Sequence, residues 1–427
     1  MRRIILNDSN HIAPFNESAR DLQVQNKPLW LWQRDLLNEK YIIEEEREYP
    51  DIKIAEKLES DATLTIMHRD NLFFNKALLD TFHDLALAEG GPCQLAFKAD
   101  DPAIKKHVLP LSSNLVKKDD VYLAELWYLP AGFSQYKEAR PIIVDTKPRE
   151  RGYYHIPPYM ATEFGDLIYW LPENVFVTID NWVHLFVANI LFGVFTRGVD
   201  SEDAINKSWQ KKLKILWKSV IEQKHVISNS EVVIIGKNCN IDPTAVIHGV
   251  TTIGDNVTIG AGAVIDNCMI GDNVTVSQGC QLMLSVIGDG CFLPFRASMF
   301  MTTLMEDTSV AQNSCLQLCV VGRDSFIGAG NTFTDFNILG GPLRTFTLQG
   351  KLEDTNMLIL GGCVGHHCRI SSGHTFYAAR MIESDVVLIA TDEKHIITKN
   401  VSYEQSDHHP YSDKYDYPRL YPRKDGT

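Results

Sequence analysis

Between positions 235 and 265 the apolar residues keep a beat of six: Ile235, Ile241, Ile247, Ile253, Ile259 and Ile265. Four places after most of them stands a small residue: Cys239, Ala245, Thr251, Val257 and Ala263. A helix repeats its apolar positions about every 3.6 residues and a strand about every 2, so neither explains the beat. A short strand plus a tight turn, stacked many times, does: a parallel β-helix with aliphatic residues inward and Gly, Asp and Asn at the corners. Corner signals recur at Gly254-Asp255-Asn256, Gly260-Ala261-Gly262, Gly271-Asp272-Asn273 and Gly288-Asp289-Gly290.

The beat runs on through Ile270, Val276 and Leu282, slips by one residue to Ile287, and resumes at Leu293 and Met299. A weaker series follows at Val310, Leu316, Val321, Ile327 and Phe333. After an irregular insertion at 339–357 it returns at Val364, Ile370, Phe376 and Ile382. With about eighteen residues per coil, the spacing predicts about eight coils over 231–400. The pattern resembles that of the hexapeptide-repeat transferases, whose three hexads make one turn of a left-handed β-helix.

The first 200 residues have another texture. "RRIILND" (Arg2–Asp8) and "TLTIMHRDNLFF" (Thr63–Phe74) read as strands, and "LWLWQRDLLNEKY" between them has helical spacing, which is the rhythm of an α/β domain. "WVHLFVANILFGVF" (Trp182–Phe195) is too short to span a bilayer and reads as a buried helix. Residues 201–230 read as a helical connector whose apolar face is Ile205, Trp209, Leu213 and Leu216 or Trp217. Residues 401–427, rich in Tyr, Pro and charge without period, read as an extended tail in which His408 and His409 could meet a neighbouring subunit.

Bulk numbers narrow the function classes. A formal net charge of -13 argues against nucleic acid as the main partner. The start of the chain lacks a signal-peptide hydrophobic core, so a cytoplasmic location is expected. Cysteine usage agrees, because Cys239, Cys280, Cys291 and Cys368 fall in small inward slots and read as core filler. "CVGHHC" (Cys363–Cys368) has zinc-ligand residue types, yet Cys368 faces inward while His366 and His367 take an outward corner, so the side chains diverge.

"LQVQNKPLWLWQRDLL" (Leu22–Leu37) resembles, through Val24, Lys27, Pro28, Leu29 and Leu36, the segment of sugar-phosphate nucleotidyltransferases that leads from the phosphate-binding loop into a helix. An α/β nucleotidyltransferase-like domain followed by a left-handed β-helix is the plan of the bifunctional N-acetylglucosamine-1-phosphate uridyltransferase and glucosamine-1-phosphate acetyltransferase family. That resemblance implies a sugar phosphate or sugar nucleotide as ligand, Arg20 and Lys27 as phosphate contacts, and Asp70 at the place of the family's Mg²⁺-binding aspartate. It also implies an acyl-CoA co-substrate and a site between β-helices of a homotrimer.

The chain departs from the family at both sites. It has no glycine before Gly90, and so no Gly-rich loop whose bare backbone closes on phosphates. "IGAGNTFTDFN" (Ile327–Asn337) resembles the coil before the family's Asn-Tyr-Asp group, with Asp335, Phe336 and Asn337 in its place. Gln312 and Asn313 stand where the catalytic histidine belongs, and an amide cannot take the proton. Replacement bases are sought in His366, His367 and His374, the last in an inward slot, with Arg344 and Arg380 as phosphate contacts. Three functions follow as expectations: acyl transfer on the β-helix, nucleotidyl transfer with a non-standard phosphate loop, or a regulatory scaffold without catalysis.

Overall fold

A computed structural model of the chain describes residues 1–59, 62–155, 166–338, 340–414 and 416–424. Leu339, the expected start of the insertion, and tail residues 425–427 lie outside the described residues. Among the described residues the N-terminal half holds a seven-stranded sheet and the C-terminal half three eight-stranded parallel sheets.

In the N-terminal sheet, Arg2–Leu6 lies between Glu45–Tyr49 and Thr65–Arg69 and runs parallel to both. The chain leaves Arg2–Leu6 toward one side and returns on the other, which makes its carboxyl end a topological switch point. Val121–Leu129 is antiparallel to Thr65–Arg69 and to Cys93–Lys98, so the sheet is mixed. The helix Leu29–Lys40 covers one face, Gln33 donating to the carbonyls of Asp70 (3.1 Å) and Leu72 (2.7 Å). The expected strand 63–74 breaks into Thr65–Arg69 and Leu72–Phe74, with Asp70 and Asn71 at the turn.

The apolar stretch from Trp182 belongs to a continuous helical run, Trp182–Lys207, long and apolar enough to cross a membrane by composition. Its apolar part is buried in the protein, where Trp182, Leu185, Phe186, Ile190 and Leu191 join the main core. This run packs the N-terminal domain onto the first face of the β-helix, and the same core includes Val286, Met301, Leu318, Val320 and Met381 from that face. Arg197 pins the contact by donating to Thr252 Oγ1, Val250 O and Cys268 O at 2.9–3.1 Å.

The β-helix interior is the six-beat itself. Ile253, Ile259, Ile265, Ile270, Val276, Leu282, Ile287, Leu293, Met299, Leu304, Val310, Leu316, Val321, Ile327, Phe333, Val364, Ile370, Phe376 and Ile382 are all buried. Most coils take seventeen residues, since equivalent corner bonds join residues 17 apart in the middle coils and 18 apart at the first.

The corner between the first and second faces is a ladder. Asp255 Oδ1 accepts from Lys237 N (2.6 Å), Asp272 Oδ1 from Asp255 N (2.7 Å), and Asp289 Oδ1 from Asp272 N (2.8 Å). Glycine precedes each aspartate because a Cβ on Gly254 would lie 2.2 Å from Asp272 Oδ1 and 2.6 Å from the Gly271 carbonyl. The residue after takes a left-handed backbone, as at Asn238, Asn256, Asn273, Asp307, Asp324, His367 and Asp385, a place suited to Asn, Asp and His.

Three expectations are corrected. The insertion forms a hairpin, Arg344–Phe346 with Leu352–Asp354, that grips the N-terminal domain. Asn181 Nδ2 donates to Phe346 O (2.7 Å) and Trp182 Nε1 to Thr345 Oγ1 (3.0 Å). The connector breaks at Ser208, and the apolar face of Trp209–Glu222 points outward instead of packing. The tail folds back: Tyr417 stacks on His367, Tyr421 packs on His366 with its ring tilted, and Lys424 reaches Ser9 O. Its two histidines are tied internally, His408 to Ser406 and His409 to Tyr403 O, both at 2.7 Å.

Candidate functional site

A cleft of ≈ 260 Å³ opens between the helix Leu29–Lys40 and the sheet face formed by Arg2–Leu6 and the edge strand Glu45–Tyr49, and reaches Asp70 beyond the carboxyl end of Thr65–Arg69. The period-2 alternation of strands decides its lining. Arg3 and Ile5 project from one strand, and their register partners Glu46 and Glu48 project from the next. Arg20 arrives from the 3₁₀ turn Ala19–Asp21, Trp30, Gln33 and Arg34 from the helix, and Asp70 from the strand end.

Asp70 is 1% exposed. Its Oδ1 accepts from Asp8 N (2.7 Å), while its Oδ2 has no hydrogen-bond partner among the described residues and lies 3.6 Å from Arg20 Nη1. Burial pushes its pKa up to about 6, against the pull of the Asp8 amide bond and of Arg20. Behind it, Asn71 Nδ2 bridges Asp8 Oδ2 (3.2 Å) and Asp180 Oδ1 (2.9 Å). Asp180 also accepts from Ser112 Oγ, Ser113 N and Asn114 Nδ2 at 2.7–3.1 Å. Burial raises the Asp8 carboxyl as well.

Arg20 is held for use. Its guanidinium donates to both oxygens of Glu48 at 3.0 and 3.2 Å and to Asn7 Oδ1 at 3.1 Å. The bond from Glu48 raises its pKa, and Arg20 in turn holds the Glu48 carboxyl below its ordinary value. Arg3 is buried, donating to Glu46 (2.9 Å) and to His68 Nε2 (3.0 Å). Burial, with Arg3 alongside, drives the His68 pKa down to about 3, so the imidazole is neutral and accepts. Two guanidinium–carboxylate pairs, Arg3–Glu46 and Arg20–Glu48, thus stand beside the buried Asp70 carboxylate.

Arg20 and Asp70, singled out 50 positions apart in the chain, therefore converge. Lys27 does not join them: it is exposed and pairs with Asp35 at 2.9 Å, outside the cleft lining. Asp8, Asn71 and Asp180 went unread; "NDSNH" and the strand-end "RDN" were the only traces they left.

The β-helix candidates scatter. His374 is fully buried inside the coil, its Nδ1 3.1 Å from Ser371 O and its Nε2 without a partner among the described residues. His366 and His367 are buried under other parts of the chain, which corrects the picture of solvated corners. His366 Nδ1 accepts from Arg323 N (3.0 Å), leaving the proton on Nε2, which faces Glu17 Oε2 at 3.2 Å. Arg323 Nη1 donates to both Glu17 oxygens (2.8 Å) and its Nε to Glu306 Oε1 (2.7 Å). Burial alone would raise Glu17, yet His366 and Arg323 hold it below its ordinary value. His367 pairs with Asp385 at 2.9 Å. His366 locks a seam with the N-terminal domain and His367 lies under the tail against Tyr417, and as folded both are buried.

Asp335 is partly buried and its carboxyl is raised by burial, while Asn337 bonds Gly340 O, Arg344 is exposed on the hairpin, and Arg380 donates to Ala378 O (3.2 Å).

Residues 229–298 match the family model of the GMPPB C-terminal domain. The β-helix resemblance is thus shown. Among solved structures, the polysialic acid O-acetyltransferase OatWY matches at 17% identity over 40% of this chain and 80% of that one, with a TM-score of 0.20. The UDP-N-acetylglucosamine acyltransferase from Campylobacter jejuni matches at 14% over 35% and 64%, TM-score 0.23. The acetyltransferase domain of PglB from Neisseria gonorrhoeae FA1090, in complex with acetyl coenzyme A, matches at 16% over 37% and 51%, TM-score 0.15. Likenesses this loose carry no functional argument. No curated protein matches the chain.

Proposed function

We propose that this chain is a transferase-type protein of sugar-nucleotide metabolism whose working site is the Arg20–Asp70 cleft. The cleft receives the phosphate of a sugar phosphate or nucleotide, and the β-helix serves assembly. The observation that carries this reading is the meeting of Arg20 with a buried Asp70 oxygen that has no hydrogen-bond partner among the described residues, at a switch point, where open α/β sheets bind their ligands. Arg20 offers a planar fork suited to a phosphate that displaces Glu48 from it.

A Mg²⁺ ion fits the donor set. It binds through one or two carboxylates plus phosphate oxygens, and Asp70 Oδ2 is such a ligand, with no hydrogen-bond partner among the described residues. Asp70 would hold the ion, which when bound neutralises phosphate charge. Asp70 would then be fully ionised, and the chain's own part is to orient the phosphate through Arg20 and to keep Asp70 fixed through Asp8 N.

Acyl transfer from an acyl-CoA at a homotrimer interface is the second reading. Asp335 favours it, because a carboxyl raised by burial is a usable general base. One thermal-shift panel separates the two. Sugar 1-phosphates or nucleoside triphosphates with Mg²⁺ are expected to raise the melting temperature, as any ligand of the native state must. Arg20→Ala is expected to weaken that response about tenfold or more, and Lys27→Ala to leave it unchanged. A shift with acyl-CoA alone would replace the first reading by the second, and a flat panel would leave the scaffold.

A further inference from the structure

The helix Trp209–Glu222 turns its apolar stripe away from the protein. Ile215 and Ser219 are its buried residues, fastened by Asn229 Nδ2, which donates to Ile215 O (3.1 Å) and Ser219 Oγ (2.8 Å). On the opposite side Trp209 (71% exposed), Trp217 (66%), Val220 (72%), Leu213, Leu216 and Ile221 are open to solvent. At about 100° per residue, these six span an arc of roughly 140° centred opposite Ile215. A patch of this size with two tryptophans is costly in water and marks an interaction surface.

Charge says which surface. Lys212 and Lys214 flank the stripe on either side, Lys211 and Lys218 lie on the polar side behind it, and Glu222 is the helix's single acid, on a chain whose net charge is -13. Lys214 meets Glu231 (2.8 Å) and Lys218 meets Glu222 (3.7 Å), while Lys211 and Lys212 make no ion pair among the described residues. Tryptophan and leucine on one side with lysines at the borders is the make-up of a helix lying in a membrane interface. A second copy docking here would set one lysine row beside another. An anionic bilayer surface sets the lysines against opposite charge.

We propose that Trp209–Glu222 is a membrane-surface anchor that lays this protein on anionic lipid. It lies on the bilayer and does not span it, because fourteen residues fall short of the ~20 a spanning helix needs. The anchor sits between the N-terminal domain and the first coil.

The test is cosedimentation of the full chain with vesicles of phosphatidylcholine alone or mixed with phosphatidylglycerol, read together with tryptophan emission. Expected are pelleting and a blue shift with the anionic vesicles, at least about tenfold weaker with phosphatidylcholine and weakened by salt. Trp209→Ser with Trp217→Ser is expected to abolish pelleting. Lys211→Glu with Lys212→Glu should reduce it about tenfold or more and keep the aromatic contact with lipid at low salt. All four residues are exposed, and an unchanged circular dichroism spectrum checks the fold. Absence of pelleting with anionic vesicles overturns the proposal, as does undiminished pelleting of the tryptophan variant. A wild-type oligomer that the tryptophan variant dissociates in sedimentation velocity overturns it too, assigning the face to a second copy.

Discussion

The two halves of this molecule solve burial in opposite ways. In the β-helix each coil repeats its neighbour's solution, so aliphatic residues stack on aliphatic residues and corner aspartates on corner amides. In the N-terminal half the centre of the sheet carries Arg3, His68, Asp8, Asp70, Asn71 and Asp180, all at least nine-tenths buried. Such groups are costly unless paired, and each is engaged in a network that leads to the cleft, with Asp70 Oδ2 and Asn71 Oδ1 left without a hydrogen-bond partner among the described residues. Regularity marks the half we propose to serve assembly, and buried polarity marks the half we propose to hold a ligand.

The sharpest way to break that contrast is inside the stack. Phe333 and Phe376 stack at 4.1 Å across the coils that flank the insertion. Phe333→Ala is expected to cost about 3–5 kcal/mol, read by denaturant unfolding, with amide protection lost in adjacent coils and the cleft's ligand response retained. If the response is lost with the stack, the halves are not separable.

Arg323→Ala attacks the seam instead. It leaves Glu17, Glu306 and His366 without their shared cation, at an expected cost of about 2–4 kcal/mol, because breaking a largely buried pair strands its partners. Calorimetry is expected to resolve two transitions where the wild type gives one.

Asp70→Asn sharpens the other half with the smallest effect and the opposite sign. A carboxyl raised to about 6 in the folded state binds a proton that the unfolded chain has already released, so it lowers stability as pH rises from about 4 through 6. At pH 7 the substitution is expected to stabilise the ligand-free protein by about 2–3 kcal/mol and to remove the Mg²⁺-dependent shift. The stability gain should vanish when the melts are repeated near pH 4. A gain that persists there would place its origin elsewhere.

The β-helix was legible because its period is local: a few neighbouring coils of sequence contain the whole rule. Arg20 and Asp70 were legible only through domain order and strand ends. Asp8, Asn71 and Asp180 were not, because their meeting depends on a crossover that no spacing encodes. His366, His367 and the insertion were noticed as breaks in the pattern and read as chemistry, whereas the breaks occur where another part of the chain docks. On Trp209–Glu222 the periodicity was visible, yet nothing in it says whether a stripe faces in or out. The tail failed for a related reason, since Tyr417 and Tyr421 have no period and gain their order from the rings they cover.

That tail gives the molecule a clasp. Tyr421 O accepts from Asn16, 405 positions earlier, and Tyr421 N donates to Asp385 Oδ2 on the final coils. A solenoid left to itself unzips from its end coil, one turn at a time. Here the end coil is strapped to the N-terminal loop, so fraying must first open a contact that spans 405 positions of the chain. During synthesis the same strap is among the last contacts to close, so the N-terminal loop around Phe15 and Glu17 waits for the chain's far end before it is fixed.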